Sequence, residues 1–211
     1  MTLNAGANSG SSNNLFYSFS QGLTHFIVFS AEAYAHSQSP AFLANQLAFM
    51  KADLAAVDRS KTPWVVGLVH RDVFMLPEAF LFFGPVLADA GVDVMFCGHV
   101  HYYNRYVPFD SASLQVDEAS VSADKKTYTN PKYMVTIVTG ASGDREDDDK
   151  CAGVDLVLSA ACSQNYGYGF FTAVNASHAT WSFKTIKADG PGPADFSDSL
   201  TIVQANHGPR A

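Results

Sequence analysis

At 211 residues, 47% apolar and 13% aromatic, the chain is long enough for one globular domain with a sizeable core. No apolar run is long enough to cross a bilayer as a helix, so a membrane span is excluded. The net charge of −7 comes without a cluster of basic residues, so a nucleic-acid partner is excluded as well. Much of the charge lies in the run Asp144 to Asp149, which reads as a solvated loop.

Residues 1–14 are a polar stretch rich in Gly, Ser and Asn, with neither the basic start nor the apolar centre of a signal peptide. Leu15–Ser20 and Thr24–Ser30, joined by Gln21-Gly22-Leu23, read as a strand pair. Ser39-Pro40 opens a helix to about Val57, with Ser as cap and Pro at the first position. Its stripe of Phe42, Leu43, Leu47, Met50, Leu54 and Val57 reads as core-facing. Trp64–Val69 and Val92–Cys97 are short apolar runs, each stopping at a histidine-bearing segment, as buried strands do. Between them, Phe80, Phe83, Val86, Leu87 and Ala90 repeat at helical spacing from Glu78 to Ala90. A strand–helix–strand unit predicts two adjacent parallel strands. Residues 111–131 are polar and without period, a long surface loop. Lys132–Thr139, Gly169–Asn175, His178–Lys187 and Ser199–Val203 are further strands, and no internal repeat occurs. The fold class is α/β, with a core over 15–110 and a segment, 132–211, completing the same domain.

The chemistry gathers at the two strand ends. His70, His99 and His101 come to the carboxyl edge of the sheet, where open α/β sheets place their sites. Alternate residues of an extended strand share a face, so His99 and His101 point the same way if the backbone past Gly98 stays extended, with Gly98 allowing a tight turn. Three imidazoles at one edge suggest a metal such as zinc, iron, copper or nickel. The plainer reading has His70 capping a strand and the other two in a polar hairpin. Arg71 and Arg105 suit phosphate through a bidentate guanidinium, and equally suit a carboxylate. Asp93, inside an apolar strand, needs partners, and orienting a ligand imidazole is one use for it. Tyr103 packs beside the site. His25, His36, His178 and His207 read as structural. Cys97 reads as a buried thiol, Cys151 and Cys162 as a possible local disulfide, and Asn175-Ala176-Ser177 as a glycosylation sequon at a turn.

The stretch from Val92 through Cys97-Gly98-His99-Val100-His101-Tyr102-Tyr103-Asn104-Arg105 resembles the Gly-His-x-His-x-Tyr-x-Arg block of the purple acid phosphatases, within the calcineurin-like metallophosphoesterases. Asp58 to Val66, followed by His70-Arg71, resembles the preceding strand and its ligand histidine. Thr139 to Gly143 and Tyr166 to Phe171 resemble the region that follows, so the similarity runs from about Leu15 to Val203. It implies the second half of a four-layer αββα sandwich, with 132–211 as the family's carboxyl-terminal segment.

Three blocks of that family are absent: a Gly-Asp block, a Gly-Asp-x-x-Tyr block and a Gly-Asn-His block, which supply aspartate, tyrosine and asparagine ligands. Gly143-Asp144 and Asn206-His207 mimic two of them out of order, and no Asp-x-x-Tyr occurs. The chain therefore reads as the histidine half of a site, with Met1 as an internal methionine or alternative start. A missing amino-terminal half, or self-association through exposed apolar surface, is the expected partner.

For the whole family site, the resemblance implies that His70 and His99 bind a divalent metal (zinc, manganese or ferrous iron) and His101 the ferric ion. Two metals roughly 3.5–4 Å apart then activate water to hydrolyse phosphate monoesters. Asn104 stands where plant members have glutamate, and no further histidine lies between His70 and His99, which leaves the general acid unassigned. With imidazoles alone, at most one weakly bound divalent metal is expected, and the isolated chain reads as inactive. The other reading is a non-catalytic metal- or partner-binding module derived from the scaffold. The resemblance also implies a secreted or vacuolar/lysosomal protein.

Overall fold

A computed structural model describes residues 11, 14–32, 40–72, 77–110, 112–143, 151, 157–186 and 196–209. The first ten residues, His36, the Ser39 cap and the acidic run lie outside the described residues.

The chain begins with a hairpin of β1 (Tyr17–Gln21) and β2 (Thr24–Val28), paired antiparallel. Its two-residue loop starts at Gly22, whose φ of 56° is cheap only for glycine and matches the strand twist. Helix α1 (Pro40–Ala55) follows, then β3 (Trp64–Leu68), α2 (Pro77–Asp89) and β4 (Val94–Cys97). The strand–helix–strand unit forms as its pattern predicts, with β3 and β4 parallel in the register Val66 to Val94. The chain continues through β5 (Tyr103–Tyr106), β6 (Thr127–Thr129), β7 (Val135–Thr139) and β8 (Ser159–Ser163). It ends with β9 (Gly167–Ala173), β10 (His178–Thr185) and β11 (Ser197–Val203).

Seven strands make one sheet in the order β1-β2-β3-β4-β7-β5-β8, and four make a second in the order β6-β11-β10-β9. The central strands of the first sheet, β2, β3, β4 and β7, are parallel, and at one side β5 pairs antiparallel with both β7 and β8. Alternation along these strands builds two cores. Ile27, Val65, Met95 and Val138 face the helices and meet Met50 and Leu54 of α1 and Phe83 and Leu87 of α2. Trp64, Val66, Val94, Val135 and Ile137 face the other way and meet Ala179, Trp181, Phe183, Leu200 and Ile202 of the second sheet. Parallel strands are buried on both faces, which is why β3 and β4 read as unbroken apolar runs. Helices, a seven-stranded sheet and a four-stranded sheet are three successive layers of an αββα sandwich.

Two parts of the chain differ from expectation. The segment 111–131 is no simple surface loop: it holds a short 3-10 turn at Glu118–Ser120 and strand β6, whose Tyr128 is fully buried between the sheets. β5 and β8 also arise where no strand was predicted, because their polar residues find partners far along the chain. Ser159 Oγ, for instance, donates to Asn104 Oδ1 at 2.6 Å. Among the described residues no helix is long and apolar enough to cross a membrane.

Candidate functional site

The carboxyl ends of β2, β3, β4 and β7 open onto a cleft of about 490 Å³ lined by Ser30, His70, Gly98 and Thr139 among others. His70 is carried just past β3 and His99 just past β4, so parallel pairing brings them together. The backbone joins them as well, with Gly98 N–H donating to the His70 carbonyl at 2.9 Å.

The loop after β4 is not extended. His99 has φ of 70°, and Val100 N–H donates to the Gly98 carbonyl at 2.9 Å, closing a γ-turn centred on His99. The left-handed conformation thus falls on the histidine, where Gly98 was expected to take the turn. A non-glycine residue so placed stores of order 1–3 kcal/mol and persists only where its surroundings hold it. Gly140, after β7, supplies that hold: a Cβ there would lie 2.0 Å from the Val100 carbonyl oxygen, so only glycine lets the loop sit this close.

His99 Nδ1 and His70 Nε2 stand 3.3 Å apart, with the rings edge to face. Arg71 meets the pair at His99, its Nη1 2.8 Å from His99 Nε2 and its Nε donating to Glu32 Oε1 at 2.7 Å. Arg71, Asp72, His99, Tyr102 and Tyr106 line a smaller hollow of about 240 Å³. Burial, with the nearby Asp72 carboxylate adding to it, holds the Tyr106 phenol protonated far above the ordinary tyrosine range.

The other candidates lie elsewhere. His101 is half-buried two residues on, and among the described residues no group of three or more His, Cys, Asp or Glu side chains is placed to hold an ion. Arg105 is sealed between the sheets on Asp198, away from any phosphate. Tyr103 lies in the same interface, donating to Asp198 and stacked on Phe183 at 3.9 Å between ring centroids. Asp93 does orient an imidazole, but at the opposite end of β4 from the site. It accepts from Arg59 Nη1, Val65 N–H and His207 Nδ1, and His207 Nε2 in turn meets the Ala176 carbonyl. His25 bridges Ser20 and Asp53 between the hairpin and α1. Glu32 and Gly140 escaped the sequence reading, since one acts through a partner 39 residues away and the other through the space it leaves empty.

A family model described as iron/zinc purple acid phosphatase-like protein C matches residues 133–191. An acid phosphatase of Aspergillus ficuum is 26% identical over 96% of this chain, and purple acid phosphatase 15 of Arabidopsis thaliana is 39% identical over 75% of it. A purple acid phosphatase from yellow lupin (Lupinus luteus) seeds superposes on 92% of this chain, 34% of its own, with a TM-score of 0.71 at 22% identity. The chain carries a carboxyl-terminal purple acid phosphatase-like domain. It spans 39% and 30% of the length of the fungal and Arabidopsis relatives.

A purple acid phosphatase-like domain implies a metal cofactor, and the donor set can be tested for one. Two imidazoles adjoin, but each directs a nitrogen at the other, and the remaining nitrogen of His99 meets a guanidinium. No carboxylate joins them in an ion-sized group among the described residues. As arranged, two facing nitrogens 3.3 Å apart are an incomplete donor set for a bound metal.

Proposed function

We propose that this domain supplies the histidine-bearing edge of a metal-dependent phosphate-monoester hydrolase of the purple acid phosphatase type. In this reading His70 and His99 are donors for a divalent ion (zinc, manganese or ferrous iron) and His101 for ferric iron. The observation that carries it is the meeting of His70 and His99 at the ends of adjacent parallel strands, on a γ-turn that costs free energy to keep. Relatives that share most of this chain are named acid phosphatases. Imidazoles alone cannot offset the repulsion between two cations, so the 211-residue chain binds at most one divalent ion, weakly, and hydrolyses no phosphate ester.

A secreted or vacuolar setting accords with the Cys151–Cys162 disulfide and with the Asn175 sequon. Asn175 is exposed at the β9–β10 turn, and its Oδ1 accepts from Ser177 N–H, Ser177 Oγ and His178 N–H. We assign a glycan there.

The second reading, a non-catalytic binding module, is favoured by the satisfied state of the two imidazoles, which need no metal to be paired. It would bind partners through apolar surface such as Phe170 and Tyr168 on edge strand β9, 59% and 47% exposed. Metal analysis of the purified chain together with p-nitrophenyl phosphate hydrolysis near pH 5 tests the first reading. One ion or fewer, without turnover, is expected. Two ions with turnover abolished by His101→Ala would show a complete site in this chain and overturn the half-site account.

A further inference from the structure

We propose that Ser20, His25 and Asp53 form a second reactive centre, in which Ser20 is a nucleophile toward acyl esters with good leaving groups. Ser20 Oγ lies 3.0 Å from His25 Nδ1, and His25 Nε2 lies 2.8 Å from Asp53 Oδ2. A carboxylate only accepts, so the His25 proton is on Nε2 and the lone pair on Nδ1 faces Ser20. The Ser20 hydroxyl therefore donates to an imidazole that a carboxylate holds in place. Nucleophile, base and orienting group in that order are what activates a serine. Ser18 Oγ donates to the other oxygen of Asp53 and fixes the carboxylate in turn.

The hairpin builds this geometry. Its two-residue turn is closed by Gln21 and Thr24, so the next pair, Ser20 with His25, is of the non-hydrogen-bonded kind, in which facing side chains come closest. Ser18, two residues back, shares their face, and α1 brings Asp53 against it. β1 is the outer strand of its sheet, so Ser20 turns its backbone N–H off the edge, on the side away from β2. Ser20 is exposed while His25 is only 9% exposed, which leaves the hydroxyl in reach of solvent and the base sheltered. The centre sits at the turn end of the hairpin, at the opposite end of β2 from the cleft that holds His70. It stands independently of the proposed metal histidines.

In the reaction Ser20 Oγ attacks the ester carbonyl carbon, and its proton passes to His25 Nδ1. The bond from that carbon to the alcohol oxygen breaks, and His25 returns the proton to the leaving oxygen. Water then attacks the Ser20 ester by the same route, releasing the acid and restoring the hydroxyl. The edge N–H gives the oxyanion a single donor, which restricts the centre to esters whose alcohol departs readily.

The test uses the 211-residue chain at about pH 8, above the ordinary imidazole value near 6.5, with a chelator present to remove any metal. An alkyl fluorophosphonate forms a stable serine ester with loss of fluoride, and peptide mass spectrometry reads its rate at each serine. Ser20 should react about a hundredfold faster than Ser60 and Ser113, exposed serines whose hydroxyls donate to carboxylates and not to an imidazole. Asp53→Asn keeps the side-chain volume and removes the charge that places the His25 proton. It should slow Ser20 about tenfold or more while leaving Ser60 and Ser113 as they were. The chain should also hydrolyse p-nitrophenyl acetate, and Ser20→Ala should abolish this. Ser20 reacting no faster than the other two serines, or a Ser20 rate that Asp53→Asn leaves unchanged, overturns the proposal. So does acetate hydrolysis that is absent or survives Ser20→Ala. The comparison among the three wild-type serines decides the matter whether or not Asp53→Asn folds.

Discussion

The Arg105 guanidinium grips the Asp198 carboxylate at two points between the sheets, Nε donating to Oδ2 at 2.6 Å and Nη2 to Oδ1 at 2.9 Å. Tyr103 donates to the same carboxylate, while Arg105 Nη1 donates to the Tyr128 hydroxyl and the Lys125 carbonyl. A buried charge is tolerable only while its partner stays. Asp198→Ala strands the guanidinium and should cost about 3–5 kcal/mol. Urea unfolding measures it, and a loss below about 1 kcal/mol would mean that water or another group already shares the charge.

The same interface makes the fold sensitive to alkali. Burial keeps the Tyr128 hydroxyl protonated up to about 12, against an ordinary value near 10, and holds Tyr103 higher still. The folded state then retains protons that the unfolded chain releases, so stability is complete below pH 10 and falls as pH rises. Each such tyrosine contributes a loss of about 1.4 kcal/mol per pH unit until its folded value is reached. Denaturation midpoints between about pH 9 and pH 12 should fall ever more steeply. A flat profile would show these phenols titrating in the native state.

Much of this architecture was legible because burial wrote it as periodicity. Trp64-Val65-Val66 alternates between two apolar cores, and α1 shows its stripe, so strands, helix and parallel pairing followed from pattern. β5 was not legible: Tyr103-Asn104-Arg105-Tyr106 looks like polar loop until Asp198, 93 residues on, neutralises Arg105. Asp93 was correctly read as needing partners, yet nothing local says that they are Arg59 and His207. At the site, His70 and His99 were legible as neighbours. The γ-turn was not, because a glycine next to His99 is the residue that sequence rules would bend.

Thiol chemistry separates the three cysteines. Cys151 and Cys162 are bonded, and Cys97 is buried at the end of β4 with its thiol pushed well above the usual range by burial. Iodoacetamide should modify none of them in the native chain, Cys97 alone after denaturation, and all after reduction. Reduction should also lower stability by about 3 kcal/mol, the loop being short. Native-state alkylation of Cys97 would mean that the β4 end opens readily.

The two glycines flanking the histidine loop should behave oppositely. Gly140→Ala drives a methyl group into the Val100 carbonyl, while a Cβ at Gly98 meets nothing nearer than 3.7 Å. Gly140→Ala should therefore lower the melting temperature and shift the His99 imidazole resonances, with Gly98→Ala close to wild type in both. Equal effects from the two would remove Gly140 as the support of the γ-turn.

The most direct measurement is zinc K-edge absorption on the zinc-loaded chain, compared with His70→Ala. The half-site account predicts imidazole nitrogen scatterers at about 2.0–2.1 Å, with one lost in the variant. Zinc held in a shell without imidazole nitrogen, or a shell that His70→Ala leaves unchanged, would contradict the claim that this strand edge is the nitrogen half of a metal site.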